Sequence, residues 1–299
     1  MWKERFIDYL RYEKNYSFQT GISYLNDIIQ FEEFIKAKDD NLSLTSVDSD
    51  IVRIWMGYLI EKGLKASSVN RKLSSLKSFY KYLTKSSIIE KTPLSSVTGP
   101  KLNSKIPSFV SERQMDEILD DTTIFSEDFR GVRNQFLIEI MYLTGMRRAE
   151  VISLKDSDID FSSCTLRVTG KRNKQRLIPF SELTKEKLKK YIHVRNKEVE
   201  NKSPFLFVKE DGNAMYPKLV YKIINSHLNN ISTLSKKSPH VLRHSFATVM
   251  LNNGAEINSI KELMGHSSLS STEIYTHVTF EEMKKTYQNA HPRANKKRR

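Results

Sequence analysis

The stretch MGHSSLSSTEIYTH, residues 264–277, puts His266 directly after a glycine and Tyr275 nine residues further on, among six serine and threonine hydroxyls. A phenol with an ordinary pKa of about 10 is a poor nucleophile at neutral pH, so it needs a nearby base or a strong positive field. Groups suited to an anion stand upstream. In TGMRRAE, residues 144–150, Arg147 follows the expected end of a helix and Glu150 lies three residues on. At that spacing a carboxylate shares a helical face with a guanidinium and can orient it. In HVLRH, residues 240–244, His240 and Arg243 are three apart. A neutral imidazole beside a permanently charged planar fork suits proton transfer next to an anion. In TGKRNKQR, residues 169–176, Lys171 sits after Gly170 at the tip of an expected hairpin, where a mobile ammonium can reach over a substrate.

Taken singly, each of these has an ordinary reading. Tyr275 could fill a helix bundle, Arg147 and Glu150 could be a surface pair, His240 a helix N-terminal histidine, and Lys171 a solvated hairpin lysine. His240 and His244, four apart, would also fit a zinc pair, but the glutamate of an HExxH pattern and a nearby cysteine are both missing. Taken together, two guanidiniums, an ammonium, imidazoles and a phenol suit phosphoryl transfer. Charge grows on the non-bridging oxygens in the transition state, and two arginine forks can hold those oxygens without a metal ion.

The elements that must position these groups fall into two regions. Residues 1–90 read as helices over roughly 2–12, 17–37, 48–62 and 67–85, the third stopped by Gly63. In the fourth, Leu73, Leu76, Tyr80 and Leu83 step by three, four and three and define a buried stripe, while Lys77, Lys81 and Lys85 step along another face. Residues 91–107, rich in proline and serine and basic, read as a linker. Residues 108–299 form the second region, opened by a capping box from Ser111 to Gln114. It is expected to contain a helix near 131–144 ending at Gly145, two short strands within 165–180, and helices near 184–200 and 216–230. Next comes a helix N-capped by Ser238 with Pro239 in its first turn and Asn253-Gly254 as its stop, then a shorter one stopped by Gly265. Ser270 to Glu273 begins a turn carrying Tyr275, and a last helix is expected near 279–289 before a basic tail. The fold class is therefore mainly α with a small antiparallel β-sheet.

Composition points the same way. Of 299 residues, 49 are Lys or Arg and 35 Asp or Glu, a net charge of +14 that suits a polyanionic partner. Between Lys62 and Lys105 ten basic residues face a single acid, Glu90, which marks a candidate phosphate-tracking surface; Arg71, Lys72, Lys77, Lys81 and Lys85 are its candidate DNA contacts. One cysteine, Cys164, excludes an intramolecular disulfide framework and a multi-cysteine metal site. Neither a signal peptide nor a long apolar run is read, so a cytoplasmic, nucleoid-associated protein is expected.

The set Arg147, Lys171, His240, Arg243, His266 and Tyr275, within YLTGMRRAEVISL, GKRNKQRLIP and SPHVLRHSFATVMLNNGAEINSIKELMGHSSLSSTEIYTHV, resembles the R-K-H-x-x-R-H-Y signature of the tyrosine recombinase (phage integrase) family. The resemblance runs through essentially the whole chain. AHPRA at 290–294 is similar to the Xer branch, its XerC members more than its XerD members. It implies a helical SAM-like core-binding domain and a mixed α/β catalytic domain forming a C-shaped clamp on double-stranded DNA. It also implies that Tyr275 becomes a 3′-phosphotyrosine, Arg147 and Arg243 bind the phosphate, and Lys171 acts as general acid. His240 would exchange the tyrosine proton, His266 would donate to the phosphate, and Glu150 would orient Arg147. Neither a metal nor another cofactor is implied. Four protomers would assemble on two sites with a second, XerD-like recombinase, exchange strands through a Holliday junction and resolve chromosome dimers at cell division. The C-terminal helix would dock on a neighbouring protomer. The other readings are an integrase or invertase of a mobile or phase-variable element, a type IB topoisomerase, and a catalytically silent DNA-binding protein on the same fold.

Overall fold

The computed structural model describes residues 2–102, 109–170, 173–200, 203–229, 237–265 and 280–294. The chain divides into two compact units, residues 1–105 and 106–299.

The first unit is helical. Helix α1 (Trp2–Asp8) runs on into a π-helical turn at Tyr9–Glu13. Helix α2 (Phe18–Lys38) starts at Ser17, whose hydroxyl accepts the Thr20 N–H, and α3 (Ser49–Glu61) starts at Asp48, whose carboxylate accepts the N–H groups of Asp50 and Ile51. These short side chains satisfy amide donors that no helical carbonyl can reach. After α3, Gly63 takes φ +82°, and α4 follows (Ala66–Lys85). The stripe Leu73, Leu76, Tyr80 and Leu83 is buried against a core that includes Phe31 and Trp55. Each such side chain contributes about 1.5–3 kcal/mol of apolar burial.

This unit also contains charge. Asp27, 2 % exposed, accepts two hydrogen bonds from Arg71 at 2.6 and 2.8 Å, one from Lys72 at 2.8 Å and one from Ser75 at 2.9 Å. Burial alone would raise its pKa, but those four donors outweigh it and hold the carboxyl below its ordinary value. Leu94 and Val97, in the stretch expected as linker, are buried in the same core, and Asn70 donates to the Pro100 carbonyl at 2.8 Å. Gly99 lets the chain pass this close, since a Cβ there would lie 1.7 Å from the Asn70 amide oxygen.

In the second unit, α5 (Glu112–Asp120) opens with the expected capping box between Ser111 and Gln114. Helix α6 (Phe129–Thr144) is buried along nearly its whole circumference and forms the centre of the core. It ends at Gly145, and α7 (Arg148–Ser153) begins at once. Strands β1 (Ile159–Asp160), β2 (Thr165–Thr169) and β3 (Gln175–Pro179) form an antiparallel sheet in chain order, with Thr169 opposite Gln175 and Leu166 opposite Ile178. The hairpin of β2 and β3 follows the sequence expectation; β1 does not, because two residues are too short to carry an alternating pattern. Helices α8 (Glu182–Glu198), α9 (Pro217–Asn229), α10 (Pro239–Asn252), α11 (Ile257–Met264) and α12 (Phe280–Ala290) complete the unit. Ser238 occupies the N-cap position of α10, but its side chain makes no capping hydrogen bond there. The Ser270–Glu273 turn lies outside the described residues.

Helix α12 packs on α10, α11 and β3 of its own chain, with Tyr287 fully buried beside Phe246, Met250 and Leu263. The residues after it hold it there. His291 is buried against Phe246 and Tyr287, and burial pushes its pKa down to about 3, so the ring is neutral at pH 7. Arg293, 4 % exposed, pairs with Asp116 at 2.5 Å, Asp120 at 2.6 Å and Glu139 at 3.4 Å. Removing one partner of a buried charge set strands the others. Arg293→Met should therefore lower stability in urea by about 3 kcal/mol, the low end for a buried pair because Asp120 is half exposed and can rehydrate. A loss under about 1 kcal/mol would mean that the three carboxylates do not anchor the chain end. Among the described residues no helix is long and apolar enough to cross a membrane.

Candidate active site

The site is built where α6 and α11 end, α7 begins and α10 passes. At the end of α6, Gly145 takes the left-handed conformation, φ +59°, and a Cβ on it would fall 2.5 Å from the Phe246 ring. Glycine is required on both counts. The chain then turns through Arg147, and Glu150 in the first turn of α7 accepts the Arg147 backbone N–H at 2.8 Å and its Nη1 at 2.8 Å. The expected pairing of Arg147 with Glu150 is thus present, on a carboxylate only 4 % exposed.

Helix α10 brings in Arg243. Its Nη1 donates to the Gly145 carbonyl at 2.5 Å and its Nη2 to the Met264 carbonyl at 2.7 Å, spans of 98 and 21 residues along the chain. Burial, then the charge of Arg147, pushes Arg243 down to about 10, with Glu150 opposing and Arg176 adding to the shift. It stays protonated at neutral pH, but two crowded guanidiniums in low dielectric make a site that favours an anion. His240, one helical turn before Arg243, is exposed, and His244 is half-buried.

Arg176 is the residue that sequence reasoning missed. It stands on β3 opposite Val168 and on the same face as buried Ile178, an inward position where a charge is unexpected. That misplacement was the available signal. Its Nη1 and Nη2 donate to the two oxygens of Glu150 at 3.1 and 2.9 Å, and its Nε donates to the Leu263 carbonyl at 2.6 Å. Burial would raise the Glu150 pKa, but the bonds and charge of Arg176, followed by the bonds from Arg147, win and keep it below its ordinary value.

Three consecutive carbonyls at the end of α11 are therefore each held by an arginine: Leu263 by Arg176, Met264 by Arg243 and Gly265 by Arg147, the last at 3.0 Å. A helix C-terminus leaves these acceptors without helical partners and carries partial negative charge, so guanidiniums are the matching donors. Gly265, at φ +66°, closes the helix, and His266 is the next residue in the chain. Lys171, His266 and Tyr275 lie outside the described residues; their described flanks are Gly170, Gly265 and Phe280. Gly170 is the start of the hairpin connection, its N–H donating to the Lys174 carbonyl at 2.8 Å.

The five candidate DNA contacts separate. Lys77 and Lys81 are exposed on α4, and among the described residues no ion pair engages them. Lys85 is exposed but pairs with Glu13 at 2.7 Å. Lys72, 7 % exposed, is directed to Asp27 and Gln30, so its ammonium is an internal one, and Arg71 spans Asp27 from the surface. The two periodicities of α4 explain this: position 72 lies beside Leu73 and Leu76 on the inward side, away from the 77–81–85 face.

The phage integrase family model matches residues 108–282, and the model of the phage integrase N-terminal SAM-like domain matches residues 4–87. The chain belongs to the phage integrase family. It is 37 % identical to the tyrosine recombinase XerC of Chlorobaculum tepidum, an alignment covering 98 % of this chain and 95 % of that one. It is 38 % identical to the tyrosine recombinase XerC of Bacillus subtilis, covering 98 % and 96 %. A XerH site-specific recombinase solved with its difH substrate shares the fold, with a TM-score of 0.69 at 23 % identity over 95 % of this chain and 83 % of that one. The family's helical N-terminal domain and mixed catalytic domain correspond to the fold class read from the sequence. This is a XerC-like tyrosine recombinase.

Proposed function

We propose that the chain is a site-specific DNA recombinase that cuts and rejoins double-stranded DNA through a 3′-phosphotyrosine, with Tyr275 as nucleophile, and that it resolves chromosome dimers in the cytoplasm as one half of a tetramer with a second, XerD-like recombinase. The observation that carries the chemistry is the meeting of Arg147 and Arg243 at the end of α11. Arg243 is nine-tenths buried, carries a depressed pKa, and lies next to the residue that leads into His266. A scissile phosphate placed there would receive paired hydrogen bonds on its non-bridging oxygens as charge builds on them.

The Tyr275 oxygen forms a bond to phosphorus, the bond to the 5′-oxygen breaks, and the phenolic proton leaves toward His240 or His266. Lys171 supplies a proton to the departing 5′-oxygen. The phosphotyrosine ester retains the bond energy of the phosphodiester, so a 5′-hydroxyl from the partner strand can reverse the step without ATP. Of the five candidate contacts, Lys77 and Lys81, exposed on α4 and outside the ion pairs of the described residues, are the ones left to meet phosphate.

The wild-type protein, incubated in EDTA with a nicked duplex carrying the host's chromosomal dimer-resolution site, should accumulate a protein–DNA adduct stable to denaturant. No adduct there, with adduct on the ends of a neighbouring mobile element, would replace dimer resolution by integration or inversion. Lys171→Ala should slow cleavage by about 10²–10⁴-fold on oxygen-linked DNA. The deficit should shrink to a few-fold when the leaving oxygen is replaced by sulfur, because a thiolate departs with little need for a proton. An undiminished deficit on the sulfur substrate would remove Lys171 as general acid.

A further inference from the structure

The guanidinium of Arg176 lies where the supports of Arg147 and Arg243 converge. On one side it grips both oxygens of Glu150, the carboxylate that also holds the backbone and side chain of Arg147. On another it holds the Leu263 carbonyl, one residue before the carbonyl bound by Arg243 and two before the one bound by Arg147. It also passes close to two glycines: a Cβ on Gly265 would lie 3.1 Å from its Nη1, and one on Gly170 would lie 3.7 Å from it and 3.3 Å from the Glu150 carboxylate. Those glycines immediately precede His266 and Lys171.

We infer that Arg176 is a positioning residue for the cleavage reaction, acting through Glu150 to set the side chain of Arg147. The assignment rests on the recombinase reading above. The chemistry of the carboxylate explains the dependence. Glu150 accepts four hydrogen bonds, two from Arg147 and two from Arg176, so its charge is shared between two guanidiniums. Without Arg176, the whole carboxylate charge falls on Arg147 and draws that fork away from the phosphate. The Leu263 carbonyl also loses its donor, and the end of α11 loses one of its three holds. A lysine cannot substitute, because one ammonium at the end of a flexible stem does not span two carboxylate oxygens and a carbonyl with fixed geometry. Arg176 is largely enclosed, with 12 % of its side chain exposed, so a phosphate would meet Arg147 and Arg243 rather than this residue.

The test is single-turnover cleavage of the nicked substrate by full-length wild type, Arg176→Met, Arg176→Lys, Glu150→Gln and Arg176→Met/Glu150→Gln, with DNA affinity and thermal melting measured on each. Arg176→Met should cleave on the order of 100-fold more slowly at unchanged affinity, since a 1 Å misplacement of a catalytic group costs about that much. Arg176→Lys should recover less than tenfold. The double variant should be no more than a few-fold slower than the slower single variant, because both act on the same arginine. The sulfur leaving group should leave the Arg176→Met deficit intact while it shrinks that of Lys171→Ala. Fully multiplicative deficits, rescue by sulfur, or near-wild-type cleavage by Arg176→Met would each overturn the assignment. Should Arg176→Met fail to fold, Arg176→Lys with Glu150→Gln completes the same cycle under the same criteria. Failure of the wild type to form any adduct would instead strike the recombinase reading itself.

Discussion

Tyr275→Phe is expected to abolish the covalent protein–DNA adduct entirely while leaving DNA affinity within about twofold of wild type. The substitution removes one oxygen and nothing else, so the positive groups and the protein–phosphate contacts that dominate affinity remain. Of the other described phenols in this unit, Tyr216 and Tyr221 are exposed, but three are poor replacements. Among the described tyrosines of the same unit, Tyr142, Tyr191 and Tyr287 are buried, and burial pushes their pKa values further above the ordinary range. A phenol that is harder to ionise and shut away from DNA cannot attack a backbone phosphorus. Adduct formation is read by denaturing gel on the nicked substrate. An adduct that survives in Tyr275→Phe would show that another side chain is the nucleophile and would end the proposed chemistry.

The second large effect is expected at Arg243. Arg243→Ala should reduce the cleavage rate about a thousandfold or more, and Arg243→Lys should recover little of it. Loss of one donor to a developing oxyanion costs about 10²–10³ in rate, and Arg243 offers a fork rather than a single bond. A structural part adds to this, because its two nitrogens also hold the carbonyls of Gly145 and Met264, which flank Arg147 and His266 in the chain. Stability should change less than the number of broken bonds suggests. The variant leaves buried carbonyls without donors, but it also removes a desolvated cation repelled by Arg147. DNA affinity should fall modestly, by roughly the contribution of one phosphate contact among many. Cleavage within tenfold of wild type would show that Arg243 is only a brace for the helix ends.

The two variants also separate the parts of the site. Tyr275→Phe removes the bond that forms, whereas Arg243→Ala leaves that bond available but withdraws support from the charge that builds as it forms. A nucleophile defect should not respond to the leaving group. An arginine defect should respond only weakly, because a better leaving group lowers the barrier without restoring the lost donors.

Much of this molecule could be read along the chain, because the signals are local. Helix stops at Gly63, Gly145 and Gly265 arise from a backbone conformation that only glycine adopts without cost, and each occurs at a positive φ. The Ser111–Gln114 box and the stripe from Leu73 to Leu83 are set by spacings of three and four, and the 165–180 hairpin by alternation around a turn. Arg147 with Glu150, and His240 with Arg243, were visible for the same reason: each pair lies within one helical turn.

What the tertiary structure alone decided involves partners far apart in the chain, and those leave no periodic trace. The sequence shows that Lys72 is basic, but only the packing of α4 on α2 turns it toward Asp27 and leaves Lys77 and Lys81 outside. Nothing near residue 293 reveals that its arginine is held by carboxylates of α5 and α6, more than a hundred and fifty residues upstream. Arg176 looked like one more cation in a basic hairpin until β3 placed it beside Glu150 and the end of α11. The sequence by itself determined which residue types could carry the chemistry and where the helices that bear them stop, since capping, glycine and periodicity act over a few residues. The burial of charge, and with it the choice between a solvated cation and a structural one, came only from the tertiary fold, because desolvation depends on what the rest of the chain brings alongside.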